Sequence, residues 1–256
     1  MPRSRPLIVV AVLIAAVAIG GFVVYDQVLR GDSAAALTLP TEAPTSSSSS
    51  ATSAPTTGSS SDPVTSAAPA ASSDGSVAGT WTVTSGSQAG YRVREQLASL
   101  SAESDAVGRT DQITGSITLG TDGSTTTLTA ATLTVDTTSI ASDESRRDNR
   151  MRSEGLQTDT YPTATFTLIQ PVEVPVAALT GTPSDVMLTG DLDLHGVTKS
   201  VAIPAQAQFV NGTIQVAGSL TFQLSDFDIV APNIGGFIVS IADDGTLEFL
   251  VSFSKG

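Results

Sequence analysis

The residues best suited to bind a charged ligand are four arginines in the stretch RRDNRMR, namely Arg146, Arg147, Arg150 and Arg152. Guanidinium groups bind phosphate and carboxylate oxygens through paired, charge-assisted hydrogen bonds, so the cluster could bind nucleic acid or hold the polar head of a ligand. It could equally be the solvated face of a short helix. The net charge of −13 and the pI near 4.2 argue against a general affinity for phosphate backbones. We therefore predict a local role for the cluster and no nucleic-acid partner.

Residues that could catalyse a reaction are scarce. The chain has one histidine, His195, and no cysteine, so Ser-His and thiol chemistry have little to draw on. No segment supplies the three or four clustered ligands that zinc needs. Asp191 and Asp193 alternate on the polar face of a predicted strand, and His195 at its end is predicted to be a turn residue on that face, bonded to the backbone. We predict no catalytic residue, metal or cofactor; a hydrolase that uses His195 is the least favoured hypothesis.

The arginines lie in a segment, residues 142–155, that lacks the alternation found elsewhere in the domain. Ser142 is a candidate N-cap, Asp143 and Glu144 would occupy the first turn, and Gly155 could end the helix. The segment therefore predicts a short helix whose charges follow its dipole.

From residue 79 onwards, apolar and polar residues alternate repeatedly, which is typical of strands with one buried and one solvated face. Turn signals separate these runs, among them residues 211–212 and 243–245, and a phase change between Ala130 and Ala131 predicts a β-bulge. Eight or more long antiparallel strands can pack as a sandwich or close into a barrel with room for one slim ligand. The pattern does not separate these two folds and by itself slightly favours the sandwich.

The N-terminal part of the chain reads as a membrane anchor. Residues 7–25 are about nineteen uncharged, largely apolar residues, enough to span a bilayer as a helix. Arg3 and Arg5 precede this run, which predicts a cytoplasmic N-terminus and an extracytoplasmic remainder. A signal peptide cleaved near residues 33–36 is the alternative, but the apolar run is long for one. Residues 1–32 are thus predicted to be a cytoplasmic N-terminus and single-pass anchor in the cell membrane.

The segment between anchor and domain, residues 33–78, consists mainly of Ser, Thr, Pro and Ala. Such a segment cannot bury enough apolar surface to offset its ordering entropy. It is predicted to be a disordered stalk, and residues 79–256 are predicted to form the single folded domain.

Four segments of that domain resemble the YceI-like family. TGDLDLHGVTKSVAIP (189–204) resembles its G-x-L-T-x-H-G-V-T-K-x-V segment, and RRDNRMRSEG followed by TYPTATF resembles its R-D-x-H-L-R and Y-P-x-x-x-F. GSQAGYRVREQL (86–97) is similar to its opening strand and FQLSDFDI (222–229) to a late segment. Arg150 and Met151 stand where the family has His and Leu, and Glu95 stands where its opening strand has His.

The resemblance implies an all-β fold: an antiparallel, lipocalin-like barrel of about eight long strands with a short helix near one end. It also implies an apolar cavity that binds polyisoprenoid or other amphipathic lipids outside the cytoplasm, without catalysis. We expect this chain to share the family's cavity for the lipid tail. Because it differs from the family at Glu95, Arg150 and Met151, we do not expect it to share the family's preference for a particular head group. The residues predicted to bind the ligand are Tyr91, Val93, Glu95, Ile117, Phe166, Leu188, Leu192, Phe222 and Phe237 in the interior, with Arg147 and Arg150 at the mouth.

Two roles for the arginines follow from this arrangement. They could clamp the polar head of the lipid, or Arg147 could form a structural ion pair with Asp148. Glu95 would face an apolar interior, so it is expected to have a partner such as an arginine or a ligand hydroxyl. The leading hypothesis is a membrane-tethered carrier or sequestering protein for an isoprenoid-type lipid. Its main rival is a non-catalytic adhesion module with a solid β core; the sequence leaves a homodimer open.

Overall fold

The computed structural model describes residues 33–40, 76–97, 103–232 and 238–256. Within them, eleven strands form one sheet in which all pairs are antiparallel. The strands are β1 (Gly79–Val83), β2 (Gln88–Leu97), β3 (Glu103–Thr110), β4 (Ile113–Asp122), β5 (Thr125–Asp136), β6 (Thr163–Leu168), β7 (Val172–Val174), β8 (Ser184–Leu194), β9 (Val197–Val210), β10 (Thr213–Gln223) and β11 (Ile238–Lys255). The described residues also contain two short α-helices, α1 (Ser145–Arg150) and α2 (Val176–Leu179), and two 3-10 turns, Thr137–Ser139 and Leu224–Phe227.

The sheet closes on itself. Its strands follow the order β1-β4-β5-β6-β8-β9-β10-β11, and β11 pairs back with β1, so this ring contains eight strands. Trp81 marks the closure, because it lies opposite Ile117 on β4 and Lys255 on β11. The β2–β3 hairpin extends from β11, and β7 pairs with β5. The predicted lipocalin-like barrel of about eight long strands is confirmed, and the sandwich suggested by the pattern alone is wrong.

Alternation along the strands places one apolar face of each strand inside the barrel. On β8, Leu188, Leu192 and Leu194 are all buried in one interior cluster. The predicted bulge is confirmed: Thr118 pairs with Ala130 and Leu119 with Leu128, so Thr129 is the extra residue. The predicted turn at 211–212 is also present, and Asn211 and Gly212 both have positive φ. The turn predicted at 243–245 is wrong, because β11 continues through a register shift between Ile241 and Gly245.

The predicted helix forms, but its start differs from the prediction. Helix α1 begins at Ser145 and continues as a π-helical turn, Met151–Gly155, so the expected end at Gly155 is confirmed. The N-cap is Glu144, whose carboxylate accepts a hydrogen bond from the backbone N–H of Arg146 at 3.0 Å. Ser142 is not the cap, because its N–H and hydroxyl donate to Asp148 Oδ1 at 2.9 and 2.6 Å.

The first eight residues of the predicted stalk are part of the ordered structure. Residues 33–40 lie along the barrel, with the side chain of Leu39 buried, so the prediction of disorder is wrong for them. The remainder of the stalk up to residue 75 and the predicted anchor at 7–25 lie outside the described residues. Among the residues that are described, no helix is long and apolar enough to cross a membrane.

Candidate functional site

An apolar cavity of about 140 Å³ lies inside the barrel. It is lined by inward-facing side chains from several strands of the ring and from β2. Six predicted ligand-binding residues line it: Tyr91, Val93, Phe166, Leu188, Leu192 and Phe222. The arrangement follows from the strand period, because every second side chain of a closed sheet points inward.

The helical segment closes one end of this cavity. Met151 and Leu156 line the cavity from this segment, and Ile140 lines it from the turn that precedes α1. The Arg152 guanidinium ties the two parts together, because it donates to the carbonyls of Thr138 and Ile140 at 3.1 and 2.8 Å. The sequence did not identify these lining residues, because α1 and its π turn do not follow the strand period. The helical position of Met151 within the R-D motif was the available signal.

A second apolar cavity, of about 50 Å³, lies further along the barrel interior. Ile117 lines this second cavity and does not line the first, so its role as a ligand-binding residue stays a prediction. Leu188 borders both cavities, and its side chain is therefore part of the wall between them. Phe237, also predicted to bind the ligand, lies outside the described residues.

The expected partner of Glu95 is an arginine. Arg147 Nη2 donates to Glu95 Oε1 at 2.6 Å, and the two side chains are 10% and 2% exposed. Arg147 Nη1 donates to Asp143 at 2.6 Å, and Asp143 is largely exposed. Burial alone would lower the pKa of Arg147, but the hydrogen bonds and charges of Glu95 and Asp143 outweigh burial and leave the pKa raised. The structural pair is thus Arg147–Glu95, and the predicted Arg147–Asp148 pair is wrong because Asp148 accepts hydrogen bonds from Ser142.

Tyr91 carries a polar group at the end of the cavity. Its hydroxyl is buried without a hydrogen-bond partner among the described residues, and the same holds for Nε of Arg147. Both side chains line a small pocket of about 30 Å³ next to the main cavity, and Tyr91 also lines the main cavity. Burial raises the pKa of the Tyr91 phenol, with Arg147 opposing and the nearby carboxylates adding to the effect. The residues that line this small pocket therefore carry two buried donors without a partner, and an oxygen atom of a ligand is a suitable acceptor for such a donor.

The other arginines are not brought to this pocket. Arg150 is half exposed and pairs with Glu154, and it lines neither the main cavity nor the small pocket beside Arg147. Its role as a ligand-binding residue stays a prediction. Arg152 binds backbone carbonyls. The structure therefore places one arginine of the cluster, Arg147, at the barrel interior.

His195 has the predicted turn conformation and backbone hydrogen bond. Its φ is +55°, and Nδ1 lies 2.9 Å from the carbonyl oxygen of Phe227. The predicted polar, solvated face is wrong, because His195 is buried and its ring packs edge-on against Tyr161 with centroids 4.5 Å apart. Asp191 and Asp193 accept hydrogen bonds from Ser200 and Thr198. Within the described residues, no three His, Asp or Glu side chains cluster as metal ligands would.

The closed eight-stranded ring with an apolar interior defines a lipocalin-like β-barrel protein. Residues 81–253 match the model of the YceI-like domain, and the chain belongs to the YceI-like family. The resemblance noted in the sequence is thereby confirmed.

Curated relatives match parts of this domain. A UPF0312 protein of Vibrio parahaemolyticus is 35% identical over 104 residues, and Protein YceI of Escherichia coli is 37% identical over 75 residues. These matches cover 37% and 29% of this chain and span 50% and 35% of the relatives' own lengths.

Two solved structures share the fold over nearly their whole length. A polyisoprenoid binding domain from Saccharophagus degradans superimposes with a TM-score of 0.54 at 22% identity, covering 70% of this chain and 99% of that one. BcnA of Burkholderia cenocepacia superimposes with a TM-score of 0.51 at 17% identity, covering 66% and 98%. At these identities the comparison shows a common architecture.

Proposed function

We propose that this chain is a non-catalytic, membrane-tethered, extracytoplasmic protein that binds an isoprenoid-type or other amphipathic lipid, with the tail inside the barrel. The observation that carries the proposal is an apolar cavity lined by Tyr91, whose buried hydroxyl has no hydrogen-bond partner among the described residues. An apolar cavity with a few convergent polar groups is the usual form of a small-molecule site. The Saccharophagus degradans relative is a polyisoprenoid binding domain, which supports the same class of ligand here.

The charges around the polar end favour a neutral head group. The guanidinium of Arg147 is already paired with Glu95 and Asp143, and the charge of Asp148 also acts on Tyr91. A phosphate would thus meet three carboxylates around one cation, and repulsion is strong where water is largely excluded. A hydroxyl or ketone oxygen can accept from Tyr91 without bringing charge. We therefore assign the site to a neutral lipid such as a polyprenol or a prenylated quinone.

The cavity volume limits the part of the lipid that enters first. A cavity of about 140 Å³ is close to the size that holds one benzene molecule, which corresponds to roughly one or two isoprene units. A longer tail needs the second cavity of about 50 Å³, and it reaches that cavity only when Leu188 moves. The head and the first units of the tail therefore determine recognition.

The test of this function begins with the protein purified from its own membranes. Organic extraction and mass spectrometry are expected to recover a long-chain neutral lipid at about one equivalent. Lipid-stripped protein is then titrated with a polyprenol and with the polyprenyl phosphate of equal chain length, and we expect the phosphate to bind about tenfold more weakly, a difference of about 1.4 kcal/mol. Repeated recovery of no lipid, with no uptake of either compound, would sink the proposal.

Membrane tethering is tested separately. The full chain is expected to stay in the membrane fraction after alkaline carbonate and high salt, because residues 7–25 are long enough to span the bilayer. A soluble native protein whose N-terminus lies near residues 35–37 would show that the segment is a cleaved signal peptide.

A further inference from the structure

The eight residues 33–40 are bound along the outside of the barrel. At their start, the Ser33 hydroxyl donates to the carbonyl of Asp105 at 3.1 Å and accepts from its N–H at 3.3 Å. The Arg92 guanidinium donates to the carbonyl of Ala34 at 2.6 Å, and the Arg109 guanidinium donates to the carbonyl of Ala35. At the other end, the side-chain amide of Gln208 donates to the carbonyl of Pro40 at 3.4 Å. We call this segment the strap.

Leu39 adds an apolar contact to these hydrogen bonds. Its side chain is only 6% exposed. It directly precedes Pro40, whose carbonyl accepts the hydrogen bond from Gln208. Burying a leucine side chain stabilises a docked segment more than one exposed hydrogen bond does.

The outer surface under the strap is built from buried polar side chains. Leu247, Glu248 and Phe249 are consecutive on β11, and all three border the main cavity. Successive side chains of a strand point to opposite faces, so the Glu248 side chain leaves the face that Leu247 and Phe249 share, and it is 3% exposed. Its carboxylate lies 2.7 Å from Arg109 and 3.6 Å from Arg92. The two guanidiniums that bind the strap are therefore held by one buried carboxylate, which fixes their direction.

The strap has a defined direction along the barrel. Ser33 binds Asp105, and Asp105 lies opposite Arg94 in the β2–β3 hairpin. Arg94 is next to Glu95, so Ser33 lies at the end of the barrel where Glu95 pairs with Arg147. Pro40 binds Gln208, which borders the second cavity. The residue closest in sequence to the predicted anchor therefore lies at the polar end of the ligand cavity.

We infer that the strap holds the barrel close to the membrane with its Glu95–Arg147 end facing the bilayer, so that a lipid enters from the membrane surface. This inference rests on the proposed anchor at residues 7–25. From residue 25 to Ser33 the chain reaches at most about 28 Å, whereas a free tether up to residue 76 would reach at most about 180 Å. Because Ser33 is already bound to the barrel, the chain between residue 25 and Ser33 limits the distance to the membrane.

The absence of native cysteine allows a direct test of the strap in the full chain. Single variants Leu39→Cys and Thr38→Cys are labelled on intact cells with a membrane-impermeant maleimide; Leu39 is buried and Thr38 exposed, so Thr38→Cys is the matched control. We expect Leu39→Cys to react at least about tenfold more slowly, because labelling requires the strap to open. Adding Arg92→Ala should bring the Leu39→Cys rate towards that of the control.

Equal, fast labelling at both positions would overturn the strap. If neither cysteine reacts until the cells are permeabilised, the extracytoplasmic placement is wrong. The ratio of the two labelling rates in permeabilised cells then still decides whether the strap is docked on the barrel. Lipid binding is measured on the same variants, so a failure of the lipid proposal is seen independently.

The direction of the barrel is tested with two labelled positions. Glu103→Cys lies on β3 opposite Gln96 at the Glu95 end, and Thr182→Cys lies at the opposite end, just before β8. Each carries a fluorophore in the full chain, reconstituted in vesicles that contain a lipid with a nitroxide on its head group. We expect stronger quenching at position 103 than at 182. Equal quenching, or the reverse order, would overturn the proposed orientation.

Discussion

Replacing Tyr91 by Phe is expected to stabilise the ligand-free protein, although it removes a polar group from a candidate binding site. The Tyr91 side chain is buried, and its hydroxyl has no hydrogen-bond partner among the described residues. A buried, unpaired hydroxyl costs about 1–3 kcal/mol relative to water. We therefore expect Tyr91→Phe to raise the free energy of unfolding by about 1 kcal/mol, which corresponds to roughly 2–4 °C in Tm for a domain of this size.

The same substitution is expected to weaken lipid binding. If the Tyr91 hydroxyl donates to the head group, its loss removes one hydrogen bond worth about 1 kcal/mol, or about fivefold in Kd. A gain in stability together with a loss of affinity distinguishes a binding residue from a structural one.

Alkaline pH provides a further measurement on Tyr91. Its pKa is raised above the ordinary value, mainly by burial, so the folded protein holds the phenol proton more tightly than the unfolded chain does. The resulting stability is fully present below the unfolded pKa of about 10 and is lost as the pH rises above it. Tyr91→Phe should therefore flatten the decline in stability above about pH 10.

The assay is urea unfolding of lipid-stripped protein at neutral pH and above pH 10, with a polyprenol titration of each variant. Tyr161→Phe is the matched control, since Tyr161 packs on His195 and does not line the main cavity. If Tyr91→Phe lowers the free energy of unfolding by 1 kcal/mol or more, the hydroxyl is hydrogen-bonded in the free protein. The assignment of a head-group acceptor to this position would then be refuted.

Three other substitutions test the rest of the site. Leu188→Ala should lower the free energy of unfolding by about 2–4 kcal/mol and join the two cavities. In a chain-length series, longer polyprenols should therefore gain affinity relative to short ones. Leu192 lines only the first cavity, so Leu192→Ala should show no such gain. Glu95→Gln removes the buried carboxylate that pairs with Arg147, so it should lower the free energy of unfolding in urea by about 3 kcal/mol. The same change should raise the affinity for the polyprenyl phosphate relative to the polyprenol. An unchanged ratio of the two affinities in paired titrations would contradict the charge argument. His195→Ala should lower the free energy of unfolding by about 1 kcal/mol, because the His195 ring makes one hydrogen bond to the backbone. Lipid affinity should stay unchanged. Loss of lipid binding with the fold retained would show that His195 has a role in binding.

The barrel strands could be predicted from the sequence because their signal is local. Each strand of the ring buries every second side chain, so the positions of Leu188, Leu192 and Leu194 follow from the order of residues alone. The bulge at Thr129 was visible for the same reason, since one extra residue shifts the phase of the pattern. Motif resemblance supplied the closure into a barrel, which alternation does not specify.

The partners of individual polar side chains were decided only by the tertiary structure. Four arginines lie close together in the sequence, but the sequence does not say which one points inward. The packing of α1 brings Arg147 to Glu95, which lies 52 positions earlier in the chain. The same packing leaves Arg150 paired with Glu154. Ser142 has the side chain of a helix cap, but Asp148 competes for its hydroxyl.

The strap is the clearest case of this limit. Residues 33–40 have the composition of a disordered segment, and their local sequence offers one apolar side chain that becomes buried, Leu39. What orders them is a surface formed by residues distant in sequence, in which Glu248 holds Arg92 and Arg109 in place. Composition measures the surface that a segment can bury by itself, whereas its order depends on the surface that the folded barrel provides.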